Sequence, residues 1–173
     1  WYVPNNVTLT IAGDFDTAQT KEWIEKYFGE IPRGEDVEDL PVRIPQLAES
    51  KSLYYEDNFA RLPQLTMTWP APPEYTKDSY ALEVLADYLS NGKKAPLNKI
   101  LTDEMQLANN PSLRYGGSEL AGEFTLSVRA NPGVDLDSVK AGVYKAFDNF
   151  ENAGMSQEDL DRIKAKQETR FYN

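Results

Sequence analysis

Two apolar rhythms alternate along this chain, and their order limits the folds open to it. Residues two apart share a face of a strand, whereas residues three and four apart share a face of a helix. Val7, Leu9 and Ile11 alternate with Thr8, Thr10 and Ala12, which predicts a strand over 7–12. After Gly13, Asp14 and Asp16 offer N-cap oxygens for a helix over Thr17–Phe28, with Trp23, Ile24, Tyr27 and Phe28 on one face and Gly29 as its stop. Residues 31–45 hold three prolines and the acidic run Glu35-Asp36-Val37-Glu38-Asp39, and read as a long surface connection. Strands are expected over 53–56 and 65–69, the second ended by Pro70-Ala71-Pro72-Pro73. Thr76 or Asp78 then caps a helix to about Ser90, with Ala81, Leu82, Leu85, Tyr88 and Leu89 inward and Asn91-Gly92 at its end.

Pro96 fits the first turn of a shorter helix through about Met105. A polar strand over 112–117 is expected to pair with 123–130, where Phe124, Leu126, Val128 and Ala130 alternate with polar residues. Asn131-Pro132-Gly133 is a turn, and a helix over 137–150 puts Val139, Val143, Phe147 and Phe150 on one stripe. Ser156-Gln157-Glu158-Asp159 resembles a capping box with Asp in place of Glu, and its helix carries Leu160, Ile163 and Phe171 inward. The resulting order, β-α-β-β-α-α-β-β-α-α, predicts an α+β fold: a mostly antiparallel sheet with helices packed on one face. No repeat or flexible linker divides the chain, so residues 1–173 are expected to form a single domain.

The 173 residues contain no histidine and no cysteine. Zinc sites built from those residues, Cys nucleophiles, Ser-His-Asp triads, disulfides and iron–sulfur ligation are therefore closed to this chain acting alone. The net charge of −10, from 28 acidic and 18 basic residues, argues against nucleic acid and anionic membranes as partners. No apolar run reaches the roughly 18 residues of a membrane span. Residue 1 is Trp and the last residues read as part of a helix, so both ends are expected to be cut from a longer polypeptide.

No catalytic constellation emerges from the remaining side chains. Asp14 and Asp16 match the start of a calcium loop, but Ala18 stands where another oxygen ligand is needed, and Lys21 and Trp23 follow, so helix capping is the better account. The acidic run 35–39 reads as a solvated loop. Arg114-Tyr115-Gly116-Gly117-Ser118 lacks the Lys-Ser/Thr ending of a phosphate loop and lies between strands. Asn6-Val7-Thr8 spells a glycosylation sequon inside the first expected strand. Nothing in the sequence pairs Lys93 or Lys94 with a group that would lower its pKa. The expected catalytic and metal residues of this chain are therefore none.

The pattern as a whole resembles the second domain of the M16 zinc metallopeptidase family (insulinase, pitrilysin and mitochondrial processing peptidase). The resemblance rests on Trp1-Tyr2-Val3-Pro4-Asn5-Asn6 leading into Val7 through Asp16, and on Lys26-Tyr27-Phe28-Gly29-Glu30-Ile31-Pro32. It continues through Pro63-Gln64-Leu65, Trp69-Pro70, Pro96-Leu97-Asn98-Lys99-Ile100-Leu101, Gln106-Leu107-Ala108 and Ala121-Gly122-Glu123-Phe124. The implied fold is the M16 metallopeptidase (LuxS/MPP-like metallohydrolase) domain.

Members of that family work as two halves, each of two similar α+β domains, around a chamber that admits unfolded peptides. Their zinc site, H-x-x-E-H with a distal Glu, lies in the first domain, and there zinc-bound water attacks the peptide carbonyl. The resemblance thus implies no cofactor in this chain and zinc in a neighbouring domain upstream of Trp1. The fourth domain of many members grips substrate with an Arg and a Tyr. Those positions read Thr102 and Asn109 here, which places the chain as the second, non-catalytic domain of the catalytic half.

The implied role is a support and chamber-wall domain of a zinc metalloendopeptidase, with the strand over 112–117 as a wall element. The implied partners are the zinc-binding first domain, the second half of the same protein and peptide substrates, without nucleic acid or membrane insertion. Net acidity within the chamber would favour basic peptides. Tyr54-Tyr55-Glu56-Asp57 and Glu168-Thr169-Arg170-Phe171-Tyr172 are similar to bacterial periplasmic members, so a periplasmic location is expected. The alternative is a scaffold or assembly subunit related to M16 peptidases but without proteolytic activity. An H-x-x-E-H motif upstream of Trp1 separates the two.

Overall fold

The computed structural model describes residues 1–172, which fall into two compact units, Trp1–Pro41 and Val42 onward. In the first unit, a short 3-10 turn at Pro4–Asn6 precedes helix α1, Thr17–Phe28. Asp16 caps α1, its Oδ1 accepting from the Gln19 N–H at 2.8 Å. Asn5 ties the unit together, accepting from the Gly34 N–H at 3.0 Å and donating to the Glu35 carbonyl at 3.1 Å. The expected strand over 7–12 joins no ladder, and Val7, Leu9 and Ile11 stay 61%, 55% and 43% exposed. Its alternation fits an extended chain, but a strand exists only through a hydrogen-bonded neighbour. Trp23, Tyr27 and Phe28 of α1 are likewise exposed, and no residue of Trp1–Pro41 is buried. Gly29 ends α1 in right-handed geometry, with its N–H on the Glu25 carbonyl.

The second unit is built on three antiparallel strands: β1 (Gln64–Ala71), β2 (Ala108–Gly117) and β3 (Gly122–Ala130), in the order β1-β3-β2. Its helices are α2 (Lys77–Ser90), a short α3 (Pro96–Asn98), α4 (Leu136–Ala153) and α5 (Gln157–Tyr172). The α+β class holds, with an antiparallel sheet. The expected strand over 53–56 is absent from that sheet, and Leu53, Tyr54 and Tyr55 are exposed. The helix expected over 96–105 instead widens after α3 into a π-turn, Lys99–Glu104, in which the Met105 N–H reaches the Ile100 carbonyl.

Period 2 divides the sheet into two unlike faces. Leu113 of β2 and Phe124, Leu126, Val128 and Ala130 of β3 are buried in one core with Ala86, Leu89, Leu97, Leu101, Val139, Val143 and Ala146. Trp69 of β1 sits between Phe124 and Phe147, with ring centroids 6.2 Å from each. Helices α2 and α4 therefore cover this face. On α2, Ala81, expected inward, is exposed, while Ala86 and Leu89 are buried; Phe171 of α5, also expected inward, is 85% exposed while Ile163 is buried.

Caps follow the sequence closely. Thr76 Oγ1 accepts from the Ser79 N–H, and Asp135 does the same for Ser138. Ser156 Oγ accepts from the Asp159 N–H at 3.1 Å, the N-cap half of a capping box, and donates to the Asp159 carboxylate at 2.6 Å in place of the return bond to its own backbone N–H.

Candidate functional site

Thr102 and Asn109 lie at the two ends of one turn, where the π-turn feeds into β2. The Thr102 hydroxyl donates to the Ala108 carbonyl at 2.9 Å, closing the turn on itself. The Asn109 amide donates to Asn131 Oδ1 at 2.7 Å, and the Asn131 amide donates in turn to the Gln106 carbonyl at 2.8 Å. The Asn131 N–H also reaches the Leu107 carbonyl. Gln106 and Asn110 have φ of 52° and 54°, the left-handed region that side chains enter at a cost. The register of β2 on β3 shifts between Asn109 and Ser112, so the strand carries a bulge there. Both side chains thus spend their hydrogen bonds on holding this turn. Asn131 is the member of the cluster that sequence reasoning missed, since an Asn-Pro-Gly spelling signals a turn and nothing more.

The other candidates are scattered. Asp16 is a helix cap, and Asp36 receives Asn5 Nδ2 and pairs with Arg33. Asn6 lies in the 3-10 turn, with its amide on the Trp1 carbonyl. Arg114 to Gly117 lie within β2, as the strand-and-turn reading expects. The Tyr115 hydroxyl donates to the Pro72 carbonyl at 2.7 Å; burial first, then the nearby Glu74 carboxylate, push its pKa up, away from a basic role near neutral pH. Lys93 borders a polar groove of about 920 Å³ between α2, β2 and α5, near Asp87, Ser90 and Arg170. There Lys166 reaches Asp87 at 3.0 Å, and Ser90 Oγ donates to the β2 carbonyl of Leu113.

Zinc does not fit the residues of this chain. It has no His or Cys, and among the described residues no three Asp or Glu side chains cluster where a metal could be held. Among the described residues, no helix is long and apolar enough to cross a membrane.

The opposite face of the sheet is polar and free of helices, with Thr125 buried at its centre. Its cross-strand rows read Gln64–Arg129–Asn109, Thr66–Ser127–Ser112, Thr68–Thr125–Arg114 and Pro70–Glu123–Gly116. Thr68 and Thr125 share a hydrogen bond at 3.3 Å, and Gln64, Thr66, Ser112, Arg114 and Arg129 are exposed. A depression of about 390 Å³ opens around Arg129, with Gln64, Asn109, Asn110, Ser127 and Asn131 at its rim.

The second unit is thus an antiparallel α+β unit with helices on one face of its sheet and polar residues on the other. The chain belongs to the peptidase M16 inactive domain family, whose model matches residues 1–167. It is 21% identical over 177 residues to the zinc protease PqqE of Helicobacter pylori (strain ATCC 700392 / 26695), covering 99% of this chain and 39% of that protein. Among solved structures, a protease from Helicobacter pylori aligns with a TM-score of 0.69 at 21% identity, covering 92% of this chain and 39% of the other. A peptidase M16 inactive domain from Pseudomonas fluorescens aligns with a TM-score of 0.56 at 14% identity, over 64% of this chain and 27% of that one. At these identities the structures speak for the fold. This chain spans about two-fifths of the relative's length.

Proposed function

We propose that this chain is the non-catalytic support and chamber-wall domain of an M16 zinc metalloendopeptidase, the second domain of its catalytic half. The observation that carries the reading is the surface of Trp1–Pro41. Trp23, Tyr27 and Phe28 on α1, and Val7, Leu9 and Ile11 in the preceding segment, form apolar rows with no buried residue beneath them. Exposed apolar surface on this scale marks a place where a larger assembly packs. In this reading that assembly is a zinc-bearing domain upstream, carrying the H-x-x-E-H motif, and a second half of the same protein; membership of the M16 inactive domain family supports it. Peptides are the substrates of the whole, and the periplasm is its compartment. This chain adds no ligand to the metal; it supports the metal-bearing domain and encloses the peptide.

The test compares the 173-residue chain with the full-length protein, using zinc content and cleavage of an unfolded peptide. The expected result is about one zinc per full-length chain, chelator-sensitive cleavage, and neither property in the 173 residues alone. A full-length protein without zinc and without cleavage overturns the reading and leaves a scaffold subunit in its place. Chelator-sensitive cleavage by the 173-residue chain overturns it from the other side.

A further inference from the structure

The polar face of the sheet carries two cations without a close ion-pair partner among the described residues. Arg114 on β2 and Arg129 on β3 point to this face, and among the described residues neither takes part in an ion pair. That is unexpected in a chain with 28 acidic residues against 18 basic. Arg114 stands across from Thr125, four residues before Arg129 on the same strand and the same face. At the rise of a strand, the two guanidinium groups are spaced about 14 Å along the sheet. The ground between them is hydroxyl-bearing: Thr66, Ser112 and Ser127 form the intervening row, and Thr68 flanks Thr125. Among the strand residues of this face one is a carboxylate, Glu123, a row beyond Arg114, while Glu56 and Asp57, with Arg61, line a groove that Arg129 also borders. Arg129 overlooks the depression of about 390 Å³, so a ligand carboxylate there meets a guanidinium.

We propose that this face receives an extended polypeptide bearing acidic side chains four residues apart, one on Arg114 and one on Arg129. The inference rests on the peptide-handling role proposed above and gives it a substrate preference. An extended chain lying along the strands shares their rise, so its side chains i and i+4 on one face match the spacing of the two arginines. Guanidinium groups accept carboxylates in forked geometry, and a lysine in either position meets like charge. The local charge is thus opposite in sign to that of the whole chain, and basic peptides are disfavoured on this face.

The experiment measures fluorescence anisotropy of two labelled peptides on the full-length protein with its metal chelated, so that no cleavage enters the reading. One 12-residue peptide carries Glu at i and i+4 in a Ser/Thr/Gly background, and the other carries Lys at the same places. The acidic peptide is expected to bind about tenfold tighter at low salt, with the difference shrinking as salt rises. R114Q/R129Q should remove the difference, and R114E/R129E should reverse it. Circular dichroism and urea midpoints confirm that these exposed substitutions leave the fold intact. Equal binding, no binding of either peptide, or a preference that survives R114Q/R129Q overturns the proposal. Self-association that R114E/R129E abolishes also overturns it, since the occupant is then a second copy. Cleavage measured separately without chelator addresses the peptidase reading alone, so the two can fail independently.

Discussion

Replacing Gly142 by alanine tests how closely α4 is seated on the π-turn. Gly142 is buried in the middle of α4, where glycine costs about 1 kcal/mol relative to alanine. A Cβ there would lie 2.7 Å from Leu101 Cδ2, 3.2 Å from Leu107 Cδ1 and 3.4 Å from Met105 Sδ. The tip of a leucine can usually swing aside, but Leu101 is 0% exposed and enclosed by the core. Forcing an extra methyl into such a site costs about 1–3 kcal/mol. G142A should therefore destabilise the chain by about 1 kcal/mol despite its gain in helix propensity. L101A alone should cost about 2–5 kcal/mol through the cavity it leaves.

In the L101A background the nearest obstacle to the new methyl is gone, and G142A should become stabilising by about 1 kcal/mol. The cycle of four proteins therefore predicts a favourable coupling of about 2 kcal/mol, read from urea midpoints at constant slope. Additivity within about 0.5 kcal/mol, or a G142A protein more stable than the parent, would refute the close approach of α4 to Leu101.

Two further outcomes concern the turn and the caps. N131A removes the acceptor of Asn109 and the donor to Gln106, and should cost about 1–2 kcal/mol in urea denaturation; N131D keeps the acceptor and should lose about half as much. Equal stability of N131A and the parent would mean the cluster does not hold the turn. On pH, hydrogen bonding from Ser138 holds the Asp135 carboxyl below its ordinary value of 3.8, and Ser156, then Arg162, do the same for Asp159. Both groups bind protons less readily folded than unfolded, so their contribution is present above pH 3.8 and is lost as pH falls through the lowered values. Urea midpoints should drop below about pH 4, and the drop should be shallower in D135S/D159S; an unchanged acid limb would contradict the assignment.

Much of the fold was legible because its signals are local. Asp16, Thr76 and Ser156 each donate or accept within three residues, and the alternation of Phe124, Leu126 and Val128 needs only period 2 to be read. What failed depended on a distant partner. The segments 7–12 and 53–56 have strand spelling, but sequence does not say which edge pairs with them, and no edge in the described residues does. The π-turn was illegible for another reason: Lys99–Glu104 spells an ordinary helix, and its widening answers the pull of Thr102 on Ala108 and of Leu107 N–H on Leu101. Asn131 escaped notice because its importance comes from Asn109 and Gln106, more than 20 residues away. Thr102 and Asn109 were identified by position in the family pattern, while the turn they hold became visible only in three dimensions.

Net charge shows the same division between sum and arrangement. A chain at −10 invites the expectation of an acidic surface that draws basic partners. Within the second unit many carboxylates lie on helices: Asp137, Asp148 and Glu151 on α4, and Glu158, Asp159, Asp161 and Glu168 on α5. Among the strand residues of the face free of helices, Arg114 and Arg129 stand against Glu123, with Glu56 and Asp57 at the groove beside Arg129. Opposite charges within a Debye length, about 8–10 Å in ordinary buffers, govern what a bound segment feels, and charges beyond that length are screened from it. A partner laid on that face therefore meets a cationic strip on an anionic molecule, and salt should weaken its binding even though the whole molecule repels acidic chains. The sign of the salt dependence, measured with the Glu-bearing peptide, separates local from global electrostatics: weakening with salt reports the two arginines, and strengthening reports the net charge.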